Sequence, residues 1–75
     1  MSVEKGIYQH FKGSLYEVLE TARHSETEEQ YVVYRTLYGD RSVWVRPLAM
    51  FVEEVTHNGE QLPRFKRVES PDFSL

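Results

Sequence analysis

The sequence predicts a mainly β domain, a small SH3-like barrel of about five antiparallel strands with at most a short helical turn. β-Branched and aromatic residues cluster in short runs, as they do in strands. Glycine-containing pairs separate these runs, and Gly39-Asp40 and Asn58-Gly59 both fit two-residue hairpin loops. At a length of 75 residues, about five short strands favour a barrel over a sandwich.

Residues 1–75 are predicted to form a single domain, with a core over about 7–68 and a flexible C-terminal tail over 69–75. The chain has one Trp, five Tyr and four Phe but no cysteine, so its core depends on packing alone. Its net charge of −3 lacks the basic excess typical of nucleic-acid binders. No apolar run reaches the length of a membrane span, which favours a cytoplasmic protein without a membrane partner.

The first half of the chain is predicted to begin with a strand over Tyr8–Lys12. A two-residue turn at Gly13-Ser14 joins it to a strand over Leu15–Arg23, with a bulge near Val18-Leu19 where the alternation breaks. In the link that follows, over 24–29, Ser25 followed by Glu28 resembles a capping box and indicates a helical turn.

The Gly39-Asp40 turn predicts the pairing of the central hairpin, with Arg35 opposite Trp44 and Val33 opposite Arg46. Directly opposed residues share a face, and faces alternate along a strand. The face predicted to be core carries Val32, Tyr34, Thr36, Tyr38, Val43 and Val45. The other face carries Val33, Arg35, Leu37, Trp44 and Arg46.

The Asn58-Gly59 turn predicts a second hairpin in which Val55 faces Leu62 and Glu53 faces Arg64. The opposition of a carboxylate and a guanidinium supports this register. Pro63 donates no backbone hydrogen bond, so its strand is expected at an edge. Residues 47–51, between the two hairpins, are expected to form a single 3₁₀ turn or a short corner.

The mixed face of the central hairpin is the candidate binding site. Arg35 and Arg46 flank the Trp44 indole, and two guanidiniums beside an aromatic ring suit a carboxylate, a phosphate or a flat heterocycle. His24 and Tyr38, from adjoining loops, complete the candidate set. In the alternative interpretation Trp44 fills a second core, with the arginine stems covering it.

The remaining residues offer no catalytic constellation, cofactor motif or metal site. His10, His24 and His57 match no zinc spacing, and a chain without cysteine lacks thiolate ligands. The acidic run within 26–29 is typical of a solvated loop, and the serines lie outside any nucleophile motif. A non-enzymatic function is therefore favoured.

Short segments along nearly the whole chain, from Tyr8 to Val68, are similar to a known family. They read YQHFKG at 8–13, LYEVL at 15–19, ARHSET at 22–27, VVYR at 32–35, LYGD at 37–40, WVRPL at 44–48, MF at 50–51 and PRF at 63–65. These segments resemble the bacterial domain-of-unknown-function family 1653. The resemblance implies a stand-alone bacterial cytoplasmic domain and no particular activity. The family pattern includes the positions of Arg35, Trp44 and Arg46.

Three functional hypotheses follow. In the first, the chain is a binding module whose partner is an anionic small molecule or peptide. In the second, an RNA- or single-strand-binding barrel stacks bases on Trp44 and exposed tyrosines, although the acidic balance counts against nucleic acid. In the third, a protein-interaction accessory module pairs another chain along the Pro63 edge or receives its own Phe73-containing tail, and the chain is a monomer or weak homo-oligomer.

Overall fold

The fold is an open antiparallel sheet with one helical turn and a small hairpin. The structure is a computed structural model and describes residues 3–68. Its elements are β1 (Gly6–His10), β2 (Leu15–Arg23), β3 (Gln30–Thr36), β4 (Val43–Pro47), α1 (Leu48–Phe51), β5 (Glu54–His57), β6 (Glu60–Pro63) and β7 (Phe65–Val68). Five strands form one sheet in the order β4-β3-β2-β1-β7, and β5 pairs with β6. The predicted mainly β class is confirmed, and the predicted tail over 69–75 lies outside the described residues.

The main sheet curls without closing into the predicted barrel. Its edges are β4 and β7, and within residues 3–68 they do not pair with each other. They approach through side chains instead, because the Arg46 guanidinium of β4 lies 5.5 Å from the ring centre of Phe65 on β7. The predicted β2 bulge is confirmed between Val18 and Glu20, where such a bulge increases the twist of a strand.

The core lies on the concave face of this sheet, beneath α1. Phe51 of α1 stacks in parallel on Phe65, with ring centres 4.2 Å apart, and meets Tyr8 edge-on at 5.4 Å. The single α-helical turn replaces the predicted 3₁₀ turn or corner and buries Leu48 and Phe51. The buried cluster contains Tyr8, Val18, Val32, Tyr34, Leu48, Phe51 and Phe65. No helix among the described residues is long and apolar enough to span a membrane.

The second hairpin has the predicted register, with Val55 opposite Leu62. Asn58 and Gly59 both take positive φ, at 54° and 82°, as a type I′ turn requires. Arg64 donates a hydrogen bond to the Glu53 carboxylate at 2.9 Å, which confirms the predicted charge pair.

The central hairpin differs from the predicted register by one residue. The tight turn forms, since the Arg41 N–H donates to the Tyr38 carbonyl at 3.1 Å around Gly39. Arg41 itself then takes a φ of 56°, and Thr36 pairs with Ser42 rather than with Val43. The shift moves every β4 side chain to the other face.

The shift changes which residues are core. Tyr34 faces Trp44, and Arg35 faces Val43. The predicted burial of Val43 and Val45 is therefore wrong, because these side chains are 50% and 60% exposed on the convex face.

The first hairpin also differs from its predicted loop. His10 donates its N–H to the Ser14 carbonyl at 2.8 Å, so the loop closed by this pair contains three residues, 11–13, rather than two. As a result Gln9 faces Leu15, and the first strand spans Gly6–His10 rather than 8–12.

Candidate functional site

The structure separates the predicted trio of Arg35, Trp44 and Arg46. On β3, Arg35 pairs with Val43 on one side and with Glu17 on the other, so it lies on the convex face. Trp44 and Arg46 lie on the concave face, opposite Tyr34 and Val32. The expectation that two arginines flank the indole is therefore wrong, and only Arg46 shares its face.

Trp44 and Arg46 instead line a cavity of about 250 Å³ at one end of the concave face. Its other lining residues are Tyr16, Tyr34, Thr36, Tyr38, Gly39, Asp40 and Ser42. Because four of the nine are aromatic, we call this cavity the aromatic cup. Pockets for drug-sized ligands occupy roughly 300–1,000 Å³, so the cup suits a single side chain or a similarly small group.

The β3–β4 loop forms the rim of the cup and is held by side-chain hydrogen bonds to its own backbone. Thr36, which is buried, donates its hydroxyl to the Tyr38 carbonyl at 3.2 Å. The Ser42 N–H donates to Asp40 Oδ1 at 3.1 Å. These bonds hold the loop residues Tyr38 and Asp40, which are exposed and line the cup.

Tyr16 and Tyr38 form one wall through a hydroxyl pair whose oxygens are 3.0 Å apart. The Tyr16 ring also packs edge-on against Tyr34 and Phe65, with ring centres 5.5 and 5.4 Å away. Burial and the hydrogen bond with Tyr38 raise the pKa of Tyr16 to about 12. The Tyr16 hydroxyl is consequently an uncharged hydrogen-bonding group near neutral pH.

Trp44 also lines the cup and is 55% exposed. Its indole N–H donates to Ser42 Oγ at 2.8 Å, which fixes the edge of the ring and leaves the ring surface for contact. The alternative that Trp44 fills a second core is thereby excluded.

Arg46 supplies the positive charge of the cup. Its guanidinium lies over the Phe65 ring, and its Nε is buried without a hydrogen-bond partner among the described residues. The ion pairs within residues 3–68 use Lys5, Arg23, Arg64 and Arg67 as their cations. Arg46 therefore has no carboxylate partner in this part of the chain. A buried donor without a hydrogen bond, such as its Nε, costs free energy.

Asp40 gives the rim a negative charge. Hydrogen bonds from the Ser42 hydroxyl and N–H lower the pKa of the Asp40 carboxyl, which is fully exposed. The cup is thus lined by charges of both signs, the partly buried Arg46 guanidinium and the exposed Asp40 carboxylate.

His24, the remaining predicted site residue, caps its own loop. Its Nδ1 accepts the N–H groups of Glu26 and Thr27 at 3.1 and 3.3 Å. This cap replaces the predicted helical turn at Ser25, and it lies at the end of β2 and β3 opposite to the cup. Among residues 3–68, no three His, Asp or Glu side chains are close enough to hold a metal ion.

Sequence reasoning missed Tyr16, Tyr34, Asp40 and Ser42 as cup residues. Tyr34 was assigned to the core, and it is indeed buried while also lining the cup. Asp40 followed two positions later by Ser42 is a recognisable signal, since Asp side chains commonly accept a backbone N–H two residues on.

Comparisons with known proteins agree with this fold. The family described as "Protein of unknown function (DUF1653)" matches residues 6–67. Among solved structures, the chain is similar to a DUF1653 protein from Bordetella bronchiseptica, with 36% identity, 89% of this chain and 88% of that chain covered, and a TM-score of 0.81. A search of curated proteins gave no match. The resemblance noted in the sequence is therefore confirmed, and the chain belongs to the DUF1653 family.

Proposed function

We propose that this domain is a non-enzymatic binding module that recognises an anionic group of a small molecule or peptide in the aromatic cup. The observation that carries the proposal is Arg46, a partly buried cation in a cup of aromatic rings, without an acidic partner among the described residues. The whole chain is acidic, with a net charge of −3, yet no carboxylate of its described part neutralises this guanidinium.

The residues that line the cup would bind a ligand through hydrogen bonds and through stacking. A carboxylate or phosphate would accept hydrogen bonds from Arg46, and the Tyr16–Tyr38 hydroxyl pair would offer a further donor. A planar part of the ligand would stack on the exposed Trp44 ring. A charge-assisted hydrogen bond is worth about 1.5–3 kcal/mol. With stacking added, dissociation constants of about 1 mM or weaker are expected.

The proposed site retains Tyr38, Trp44 and Arg46 of the sequence-derived set. Arg35 and His24 lie elsewhere in the fold and are not part of it. Arg35 is nevertheless useful, because it is an arginine on the neighbouring strand with its side chain on the opposite face.

The test is a titration of ¹⁵N-labelled protein, in which the Trp44 indole N–H resonance is followed. The added compounds are inorganic phosphate, benzoate, a nucleoside monophosphate and a sugar phosphate, with benzyl alcohol as the neutral match of benzoate. We expect saturable shifts with at least one anion, loss of these shifts in Arg46→Gln and retention in Arg35→Gln. Absence of any saturable shift, or equal losses in both variants, would overturn the proposal.

The other sequence-derived hypotheses stay predictions. A single-stranded oligonucleotide in the same titration tests nucleic-acid binding, which the net charge of −3 disfavours. Cytoplasmic location and the monomeric or weakly oligomeric state likewise stay predictions.

A further inference from the structure

We infer that the ligand is an acidic peptide in extended conformation, which pairs with β4 as a sixth strand and places a carboxylate side chain in the aromatic cup. This inference rests on the proposed function and specifies its ligand class. Three features of β4 and its surroundings support it: the backbone edge, the alternation of its side chains and the local charge.

The outer edge of β4 offers backbone groups that the described part of the chain does not use. Thr36 donates its N–H to the Ser42 carbonyl, so hydrogen bonds with β3 fall at Ser42 and, by alternation, at Trp44 and Arg46. The N–H and C=O groups of Val43 and Val45 therefore point away from β3. β4 is an edge of the sheet, and no backbone hydrogen bond outside the strands within residues 3–68 involves these two valines.

The side chains of an added strand would meet both faces of β4. Opposed residues share a face, so a peptide residue opposite Trp44 or Arg46 lies on the concave side, at the cup. Residues opposite Val43 and Val45 lie beside these exposed valines on the convex side. In an antiparallel peptide, the residue facing Arg46 is two positions N-terminal to the one facing Trp44. The expected pattern is therefore acidic, apolar, aromatic, apolar.

The local charge favours an acidic peptide over a second copy of this chain. Residues 35–47 contain three arginines and one aspartate, a net charge of +2 in a chain of net charge −3. Pairing β4 with β4 of another copy would bring two such positive hairpins together. The cup volume of about 250 Å³ also matches one inserted side chain.

The test uses blocked peptides of sequence TEVYVT and, as the matched neutral control, TQVYVT. We expect TEVYVT to shift the Trp44 indole resonance and to slow amide exchange at Val43 and Val45, while exchange at Trp44 and Arg46 changes little. The glutamine peptide should bind about tenfold or more weakly, because it lacks the charge that pairs with Arg46. Methylating both valine nitrogens of TEVYVT should abolish binding, because these N–H groups would face β4.

The outcomes separate this inference from the proposed function. Anion-dependent shifts of Trp44 without protection of Val43 and Val45 would overturn strand addition and leave the anion site intact. Absence of any Trp44 shift with every anion and every peptide would overturn both the strand addition and the anion site. Protection of the two amides in the peptide-free protein, accompanied by a dimer in sedimentation equilibrium, would show a second copy on this edge and overturn the peptide assignment. Val45→Pro removes one outward N–H and should weaken binding, and the methylated peptide gives the same test on the unaltered chain.

Discussion

Tyr16 joins the core to the aromatic cup, because its ring packs on Phe65 while its hydroxyl meets Tyr38. Its pKa is about 12 in the folded chain and 10.0 as the reference value for the unfolded chain. The folded state therefore holds this proton more tightly. The stabilisation is complete below about pH 10 and is lost as the pH rises toward 12.

We therefore predict that the difference in unfolding free energy between the unaltered protein and Tyr16→Phe depends on pH. The difference should move in favour of the variant between about pH 10 and 12, because only the unaltered protein must ionise this partly buried tyrosine. Urea denaturation of both proteins at several pH values measures it. Comparison with the variant cancels contributions from the lysines and from tyrosines that do not contact Tyr16, and a pH-independent difference would contradict the prediction.

At the residue scale, the sequence identified Trp44 and Arg46 as site residues but assigned them the wrong neighbours. The sequence could predict that the indole and the guanidinium share a face, because residues two positions apart in a strand point to the same side of the sheet. Their partners depended on the loop before them. Because the register differs by one residue, Trp44 faces Tyr34 instead of Arg35. The cup therefore contains the guanidinium of Arg46 alone, where the sequence predicted two guanidiniums beside the indole.

The turn residues explain why the sequence predicted the register of the second hairpin correctly and that of the central hairpin incorrectly. Asn58-Gly59 is a pair in which both residues tolerate positive φ, so sequence and conformation agree. In the central hairpin the extra left-handed residue is Arg41, a type for which positive φ is uncommon. Nothing in its identity indicates the shift in register that accompanies it.

The loop conformation leads to a stability prediction for Arg41. Glycine adopts positive φ without the steric cost that other residues carry, roughly 1–2 kcal/mol. We expect Arg41→Gly to be more stable than Arg41→Ala by about 1 kcal/mol, since both substitutions remove the same charge. Chemical denaturation measures the difference. Equal stabilities, or a more stable alanine variant, would show that this position is not left-handed in solution.

The β2–β3 loop supports a separate prediction for His24. Its Nδ1 accepts two backbone N–H groups, so His24→Ala should cost about 1 kcal/mol of stability and speed amide exchange at Glu26 and Thr27. His57→Ala, at the exposed end of β5, is the control and should change these amides little. Anion binding at the cup should be unaffected, because the loop lies at the other end of the strands.

At the scale of the whole molecule, composition and turn spacing predicted the mainly β class correctly. They did not predict that the sheet stays open instead of closing into a barrel. Whether a five-stranded sheet closes depends on how far its edges approach, and here Arg46 and Phe65 meet through side chains rather than through backbone pairing. Within residues 3–68, the gap between β4 and β7 leaves β4 as an edge strand without a further partner beside the cup. The feature that the sequence could not predict is thus the one on which the inferred peptide site depends.

The open sheet also concentrates its stability in one place, where α1 covers the concave face. Phe51 is buried and stacks on Phe65, so Phe51→Ala removes contacts that join α1 to the edge strand β7. Truncating a buried Phe to Ala costs about 3–5 kcal/mol. A single core in a domain of this size supplies roughly 3–5 kcal/mol of net stability.

We therefore expect Phe51→Ala to be largely unfolded at 25 °C, and Phe51→Leu to remain folded with a lowered melting temperature. Met50→Ala, one position earlier in the same helical turn and 46% exposed, is the matched control and should change stability by about 0.5 kcal/mol or less. Circular dichroism and one-dimensional NMR distinguish the states. A folded Phe51→Ala protein with near-normal stability would show that the sheet holds its curvature without α1, and that the cup does not depend on this stacked pair.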